Sequence, residues 1–333
     1  MSVATEDAAE HTLRPEPWRR RIIASGATII GLLLIVMLAI FRATQTDAFS
    51  PDVLTDLFNN ALPLALAAAG GTLVVLTRGF DLSVAGVISL SNVLVATSIS
   101  DGPRGALCGV AIVLALGLLV GAVNGLLVAY IGLQSITCTL ATMIVCSGVA
   151  LLILDAPGGN VPDALSSGMM GTVGLGLPVA LVGILGLALV WLIIRKTNWG
   201  IGLLATGADR TAATLAGIPT RRVTFFAYIG AGLLYGLAGY FLTALNATGA
   251  PNSGEPYLLL TFAAIALGGT SFAGGRGGII GSILAAIALV LLQKVLFAVG
   301  VSSFYTGIFQ GAVMIAAVLV AAFTARLSMQ GES

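Results

Sequence analysis

Stretches of about twenty apolar residues recur along this chain, each closed by a short polar or glycine-rich break. A helix of that length crosses a hydrocarbon core of about 30 Å and satisfies its own backbone hydrogen bonds, so the pattern predicts an all-α fold with about ten transmembrane helices. The first runs from Ile22 to Phe41. The next four run from Leu57 to Leu76, Val84 to Ile99, Gly105 to Ile131 and Leu133 to Leu154, and the sixth from Val173 to Ile194. After a hydrophilic interval come Val223 to Leu245, a short span from Leu258 to Gly269, Gly278 to Val299, and Phe304 to Ala325. The first span is longer than the apolar core of a signal peptide and lacks a small-residue cleavage site, so it reads as a retained anchor.

Composition agrees with the pattern. Of 333 residues 58% are hydrophobic and 9% charged, with a mean hydropathy of +1.05, values that exclude a soluble domain. Charge then supplies the direction. Placing the N-terminus inside puts Arg14, Arg19, Arg20, Arg21, Arg78, Arg195, Lys196, Arg210, Arg221, Arg222, Arg276 and Arg326 in the cytoplasm, and leaves only Arg42 and Arg104 outside. The outer loops carry Asp47, Asp52, Asp56, Asp101, Asp155, Asp163 and Glu255. An even number of spans puts both termini in the cytoplasm: residues 1–21 form one tail, 22–326 the transmembrane body and 327–333 the other tail. A net charge of +1 with no basic stripe beyond these topological positions implies no nucleic-acid partner.

Much chemistry is missing. His11, in the polar N-terminal tail, is the only histidine, which argues against acid/base catalysis by histidine and a serine triad even though Gly269 to Ala273 superficially approaches a nucleophile elbow. No catalytic residue is expected. The only lysines, Lys196 and Lys294, lack the Gly-Lys-Ser/Thr setting of a phosphate-cradling loop, so any energy from ATP must come from another chain. Cys108, Cys138 and Cys146 fall inside spans without metal-type spacing and read as packing residues, leaving no metal site. Asp81 is the only acid embedded between two hydrophobic segments, a poor supply of carboxylates for an ion-coupled carrier. Lys294 lies about one turn inside the outer end of its span and is expected to snorkel outward.

One long hydrophilic excursion faces the cytoplasm, residues 195–222, flanked by Arg195, Lys196, Arg221 and Arg222. It reads as a short helix between turns. Asp209 can cap its start, Arg210, Thr211, Ala212, Ala213, Thr214, Leu215 and Ala216 form its body, Gly217 stops it, and Pro219 cannot continue it. A capped helix carries more information than a basic loop, so the segment is expected to dock a partner, with Ala213 on the docking face if that face is the small-residue one.

Within the spans, GGTLVVLTRG from Gly70 to Gly79 and GGTSFAGGRG from Gly268 to Gly277 share the pattern GGT, five residues, RG, which makes a parallel internal duplication plausible. Breaks at Gly79, Gly268, Gly269, Gly274 and Gly275 free backbone groups that lipid cannot satisfy. They should therefore be buried in protein or line a watery path. Asp81 reads as a cap and hinge for a helix beginning near Ser83, with a plain N-cap as the alternative. Gly117, Gly121 and Gly125 recur at four-residue spacing, as do Gly232 with Gly236 and Gly307 with Gly311, faces that suit close helix packing. Asn59, Asn60, Asn92, Asn124, Gln293 and Gln310 could hydrogen-bond a hydroxylated solute or simply bond between helices.

GFDLSV, then Val123 to Met143 (VNGLLVAYIGLQSITCTLATM), then ATGADRTAATLAGIPTRRV from Ala205, then NSGEPYLLLTFAAIALGGTSFAGGRGG from Asn252 closely resemble the permease subunits of ribose-type ABC sugar importers. The resemblance runs from about Asn60 to Val320; Phe80 and Ala85 depart mildly from the family's GGIDLSVG. It implies a multi-pass permease of the bacterial inner (plasma) membrane that binds no cofactor itself. Its partners would be a cytoplasmic ABC ATPase using ATP and Mg, a periplasmic sugar-binding protein, membrane lipid, and a second permease copy as homodimer or a relative as heterodimer. The segment from Asp209 to Gly217 matches the family's coupling-helix region. Asn59, Asn60, Asp81, Ser83, Asn92 and Asn124 are the candidate pathway residues. The competing readings are a self-contained ion-coupled carrier, an ABC permease for a nucleoside or branched-chain amino acid, and a membrane receptor or scaffold.

Overall fold

The computed structural model describes residues 26–302 apart from 101 and 175, together with 305, 307, 308, 311, 312 and 315. The N-terminal tail, the start of the first span, most of the tenth span (Gln310 included) and the C-terminal tail lie outside the described residues. Helix α1 covers Gly26–Thr44, α2 Pro51–Leu76, α3 Ser83–Ser98, α4 Pro103–Gly125 and α5 Ser135–Ile153. Then come α6 (Asp163–Met170), a hairpin of β1 (Thr172–Val173) and β2 (Leu177–Pro178), α7 (Val179–Ile194), α8 (Asn198–Ala208) and α9 (Arg210–Leu215). The last elements are α10 (Thr220–Asn246), α11 (Glu255–Leu267) and α12 (Ile279–Ala298). This is an all-α, multi-pass membrane protein.

Five of these helices are long and apolar enough to cross a bilayer: α2, α4 with its continuation to Ile131, α5, α10 and α12. Together α7 and α8 would make another span, bent by 79° at their break, while α3 and α11 are shorter apolar helices. Helix α2 is the axis of the bundle. Ser50 caps it by accepting from the Val53 amide, Pro51 starts it, and 94% of its most apolar stretch is buried. The corresponding figures for α4 and α5 are 28% and 22%, so these helices present apolar flanks outward.

Small residues set how closely α4 and α10 approach. A Cβ at Gly117 would sit 2.2 Å from the Gly232 carbonyl oxygen, and one at Gly236 2.3 Å from that of Val113. The four-residue glycine spacing therefore does what it suggested, bringing two backbones into contact. Gly307 and Gly311 lie where only scattered residues are described.

Two readings of the sequence are corrected. The sixth span begins at Val179 rather than Val173, because Gly174 and Gly176 take positive φ and Thr172 and Val173 pair with Pro178 and Leu177 in a hairpin. Between Arg195 and Arg222 there is a further helix, α8, where the sequence suggested turns. Thr197 caps it by accepting from the Gly200 amide, and Leu203 and Thr206 are buried against the bundle.

Candidate functional site

The short helix α9 is closed at both ends by its own sequence. Asp209 Oδ1 accepts from the amides of Thr211 at 2.8 Å and Ala212 at 3.0 Å. These bonds, chiefly the one from Ala212, hold the exposed carboxyl below its ordinary pKa. At the other end Gly217, at φ +82°, donates to the Thr214 carbonyl and Ile218 to that of Ala213, the paired bonds of a Schellman turn. Of the body of the helix only Ala213 is buried, whereas Leu215 is 85% exposed. The outward face is thus the one bearing Leu215, and Ala213 packs inward, so the exposed face is not the small-residue one.

The chain breaks between α2 and α3 at Thr77 to Leu82, and two of the amides that helix geometry leaves open there are taken up by side chains of α5. Phe80 N–H donates to Ser135 Oγ at 3.1 Å and Leu82 N–H to Thr139 Oγ1 at 3.0 Å. The buried Asp81 carboxylate accepts from the Ser83 amide at 3.0 Å and the Ser83 hydroxyl at 2.5 Å. Ser83 Oγ in turn accepts from Asn124 Nδ2 at 3.1 Å, and Asn124 Oδ1 accepts from Thr142 at 2.9 Å. A hydrogen-bonded chain therefore joins the break to α3, α4 and α5. Irregular backbone among spans is tolerated only with such partners.

Arg78 sits inside this break at φ +66°, a left-handed conformation unusual for a residue with a side chain. Its Nε donates to the Gly207 carbonyl at 2.6 Å and its Nη2 to that of Ala208 at 2.5 Å. These are the last carbonyls of α8, where a cation is favoured. Beside them, Arg78, Arg210 and Arg221 line a cavity of about 560 Å³ together with Tyr130, Ser135 and Thr206.

The second break, after α11, is closed on itself. Ser271 N–H donates to the Arg276 carbonyl, Gly274 to that of Ser271, and Gly278 to the Thr270 hydroxyl. Gly269, Gly274, Gly275 and Gly277 all take positive φ. Gly268 instead ends α11 against Gly281, at a distance no side chain would allow. The two breaks touch: Gly275 N–H donates to the Leu76 carbonyl at 3.1 Å.

The candidate pathway residues fall into three places. Asp81, Ser83 and Asn124 meet in the chain just described. Asn92 is fully buried and engaged elsewhere, donating to Thr243 and the Thr248 carbonyl and accepting from the Ala250 amide at 2.6 Å. Asn59 donates to the Met170 carbonyl and leaves its Oδ1 without a partner, while Asn60 bonds Asp56, which is ion-paired with Lys294. Sequence reasoning missed Ser135, Thr139 and Thr142. Their spacing of four and three puts them on one face of α5, a signal that was there to be read.

Residues 53–318 match the family described as branched-chain amino acid transport system / permease component. The chain belongs to this family. The permease is 35% identical to the ribose import permease protein RbsC of Escherichia coli K12 over 295 residues, covering 87% of this chain and 91% of that one. It is 36% identical to the ribose import permease protein RbsC of Bacillus subtilis, covering 87% and 90%, and 30% identical to the fructose import permease protein FruF of Bifidobacterium longum, covering 89% and 87%. No solved structure matches this permease.

Proposed function

We propose that this chain is the membrane subunit of an ATP-driven importer and forms the pathway for a small sugar, a pentose, a hexose or a related polyol. The observation that carries the reading is α9, capped by Asp209 and Gly217, exposed on its Leu215 face, and joined directly to the end of α8, which Arg78 ties to a break inside the bundle. A rigid element of that kind can seat in a partner's groove and pass its displacement on, which a flexible loop would absorb. The sugar class rests on the ribose and fructose permeases among the relatives.

The chain sits in the bacterial inner membrane with about ten spans and both termini cytoplasmic, an arrangement supported by the distribution of arginine. Residues 195–222 form the cytoplasmic coupling segment of a transmembrane body at 22–326. A cytoplasmic ABC ATPase docks there and hydrolyses ATP with Mg, while the permease is non-catalytic. A periplasmic binding protein delivers the sugar, and a second permease, identical or related, completes the pathway. Asp81, Ser83 and Asn124 stand nearest the breaks and are the foremost pathway candidates, with Asn59, Asn60 and Asn92 at greater remove.

The test is reconstitution of the permease with its ATPase and binding protein in liposomes, with the cargo first found by thermal stabilisation of the binding protein across a sugar panel. ATP-dependent uptake of the stabilising sugar is expected. It should be lost in Gly217→Val, whose β-branched side chain does not suit a left-handed turn. Uptake at the normal rate in that variant, with ATP use still coupled, would remove α9 from the mechanism. Uptake driven by an ion gradient without any ATPase would overturn the reading altogether.

A further inference from the structure

Three phenylalanines gather where the two breaks touch. The Phe80 ring stacks on that of Phe272 with centroids 5.7 Å apart and planes 16° from parallel, and lies 5.9 Å from Phe262. Phe262 and Phe272 are themselves 6.2 Å apart. Each ring comes from a different segment, the first break, α11 and the second break. Each of the three is only partly buried. No hydrogen bond joins the rings, and contacts between aromatic faces separate without leaving a polar group unpaired.

Backbone and side-chain bonds tie this cluster to α9. Arg78, two residues before Phe80, holds the Gly207 and Ala208 carbonyls, and the next residue, Asp209, caps α9. Gly275, three residues after Phe272, is bonded to Leu76 and packs against Ala208 so closely that a Cβ there would sit 2.6 Å from the Ala208 amide nitrogen. The end of α8, immediately before α9, is therefore in contact with both breaks. The left-handed Arg78 is consistent with a constrained functional position, since glycine would adopt that conformation with less strain.

We propose that Phe80, Phe262 and Phe272 form the gate that closes the pathway at its cytoplasmic end, and that Arg78 is the positioning residue through which α9 moves it. The proposal rests on the transport reading above. A hydroxylated solute must shed water to pass an apolar constriction, so packed rings block it and separated rings do not. Arg78 suits the linkage because its planar fork holds two carbonyls at once, which a lysine ammonium cannot do in the same geometry.

The experiment uses the permease complex in liposomes loaded with radiolabelled ribose as the probe. Phe80→Ala and Phe272→Ala are expected to raise ATP-independent ribose efflux at least tenfold, with ATPase binding unchanged. Arg78→Ala should show no leak and an ordinary rate of ATP hydrolysis, with uptake lowered at least tenfold. Arg78→Lys should restore part of the coupling, and Arg276→Ala should behave as wild type. The leak measurement needs neither ATP nor the true cargo, so the gate is judged even if the wild-type complex proves not to pump ribose. Absence of leak in both phenylalanine variants overturns the gate. Arg78→Ala and Arg78→Lys variants that both transport with normal coupling overturn the linkage; if Arg78→Ala does not assemble, Arg78→Lys alone decides, through its ratio of sugar moved to ATP hydrolysed.

Discussion

The segments Gly70–Gly79 and Gly268–Gly277 share a spelling and almost nothing else. In the first, Gly70, Gly71 and Thr72 lie inside α2, because Leu73 to Leu76 continue the apolar helix to its end. In the second, Gly268 already ends α11, because Ser271, Gly274 and Gly275 supply turns instead. The first break is braced from outside by Ser135, Thr139 and the Asp81 to Thr142 chain; the second is built from its own backbone and four left-handed glycines. Even their arginines differ: both reach the surface, but Arg78 grips two carbonyls and Arg276 has no side-chain partner among the described residues. A match in glycine spacing is thus weak evidence of matching structure, since the residues between the glycines decide whether a helix continues.

The largest effect that would test this contrast comes from removing the external brace. Ser135→Ala with Thr139→Val strips the acceptors from the Phe80 and Leu82 amides, and each stranded donor should cost about 1–3 kcal/mol. Thr270→Val strands only the Gly278 amide and should cost less. Thermal unfolding of the purified permease in detergent checks both. Equal losses would mean the second break leans on side chains as much as the first.

A middling effect separates backbone conformation from contact. Gly217→Ala and Gly275→Ala both place a side chain in a left-handed conformation, at about 1–2 kcal/mol. At Gly217 a Cβ meets nothing within 4 Å, whereas at Gly275 it meets the backbone of Ala208. Gly275→Ala should therefore be the more destabilised in the same unfolding measurement and the slower in uptake, and the reverse order would deny the packing of the second break on α8.

The smallest effect is that of pH on the cap beside Arg78. The Asp209 pKa is lowered on folding, first by the Ala212 amide and then by that of Thr211, with a further contribution from Arg78. A depressed carboxyl contributes stability that is present above its unfolded value of 3.8 and lost as pH falls through the lower folded value. Helix α9 should thus be unaffected around neutrality and fray only in acid, measured by the amide proton signal of Ala212 in the folded permease. Fraying near neutral pH would show that this carboxylate is not the cap.

Local features of the site were legible because local chemistry made them. Asp209 and Gly217 close α9 through bonds to residues within five positions, and Asp81 bonds Ser83 two residues on. The longer links were not. Arg78 to Gly207, Phe80 to Ser135 and Asn92 to Ala250 join positions far apart in the chain. Asn92 shows the limit well, since a buried asparagine looks the same in a sequence whether it faces a solute or, as here, a turn after α10. Ala213 shows it too, because which face of a capped helix is outward depends on what the helix rests upon.

By itself the sequence determined that this is a helical membrane protein, where most of its apolar helices lie, that α9 is capped, and that α4 and α10 each carry a glycine face suited to close packing. Each of these follows from hydropathy, local hydrogen bonding or the absence of a side chain, all properties of short stretches of chain. Only the tertiary structure decided that the two glycine-rich breaks meet, that α8 runs between the bend and α9, that the three phenylalanines cluster, and that Arg78 binds the end of α8. The reason is that every helix in lipid has already satisfied its own backbone, so which helices become neighbours is left to side-chain packing and to the few polar groups that remain.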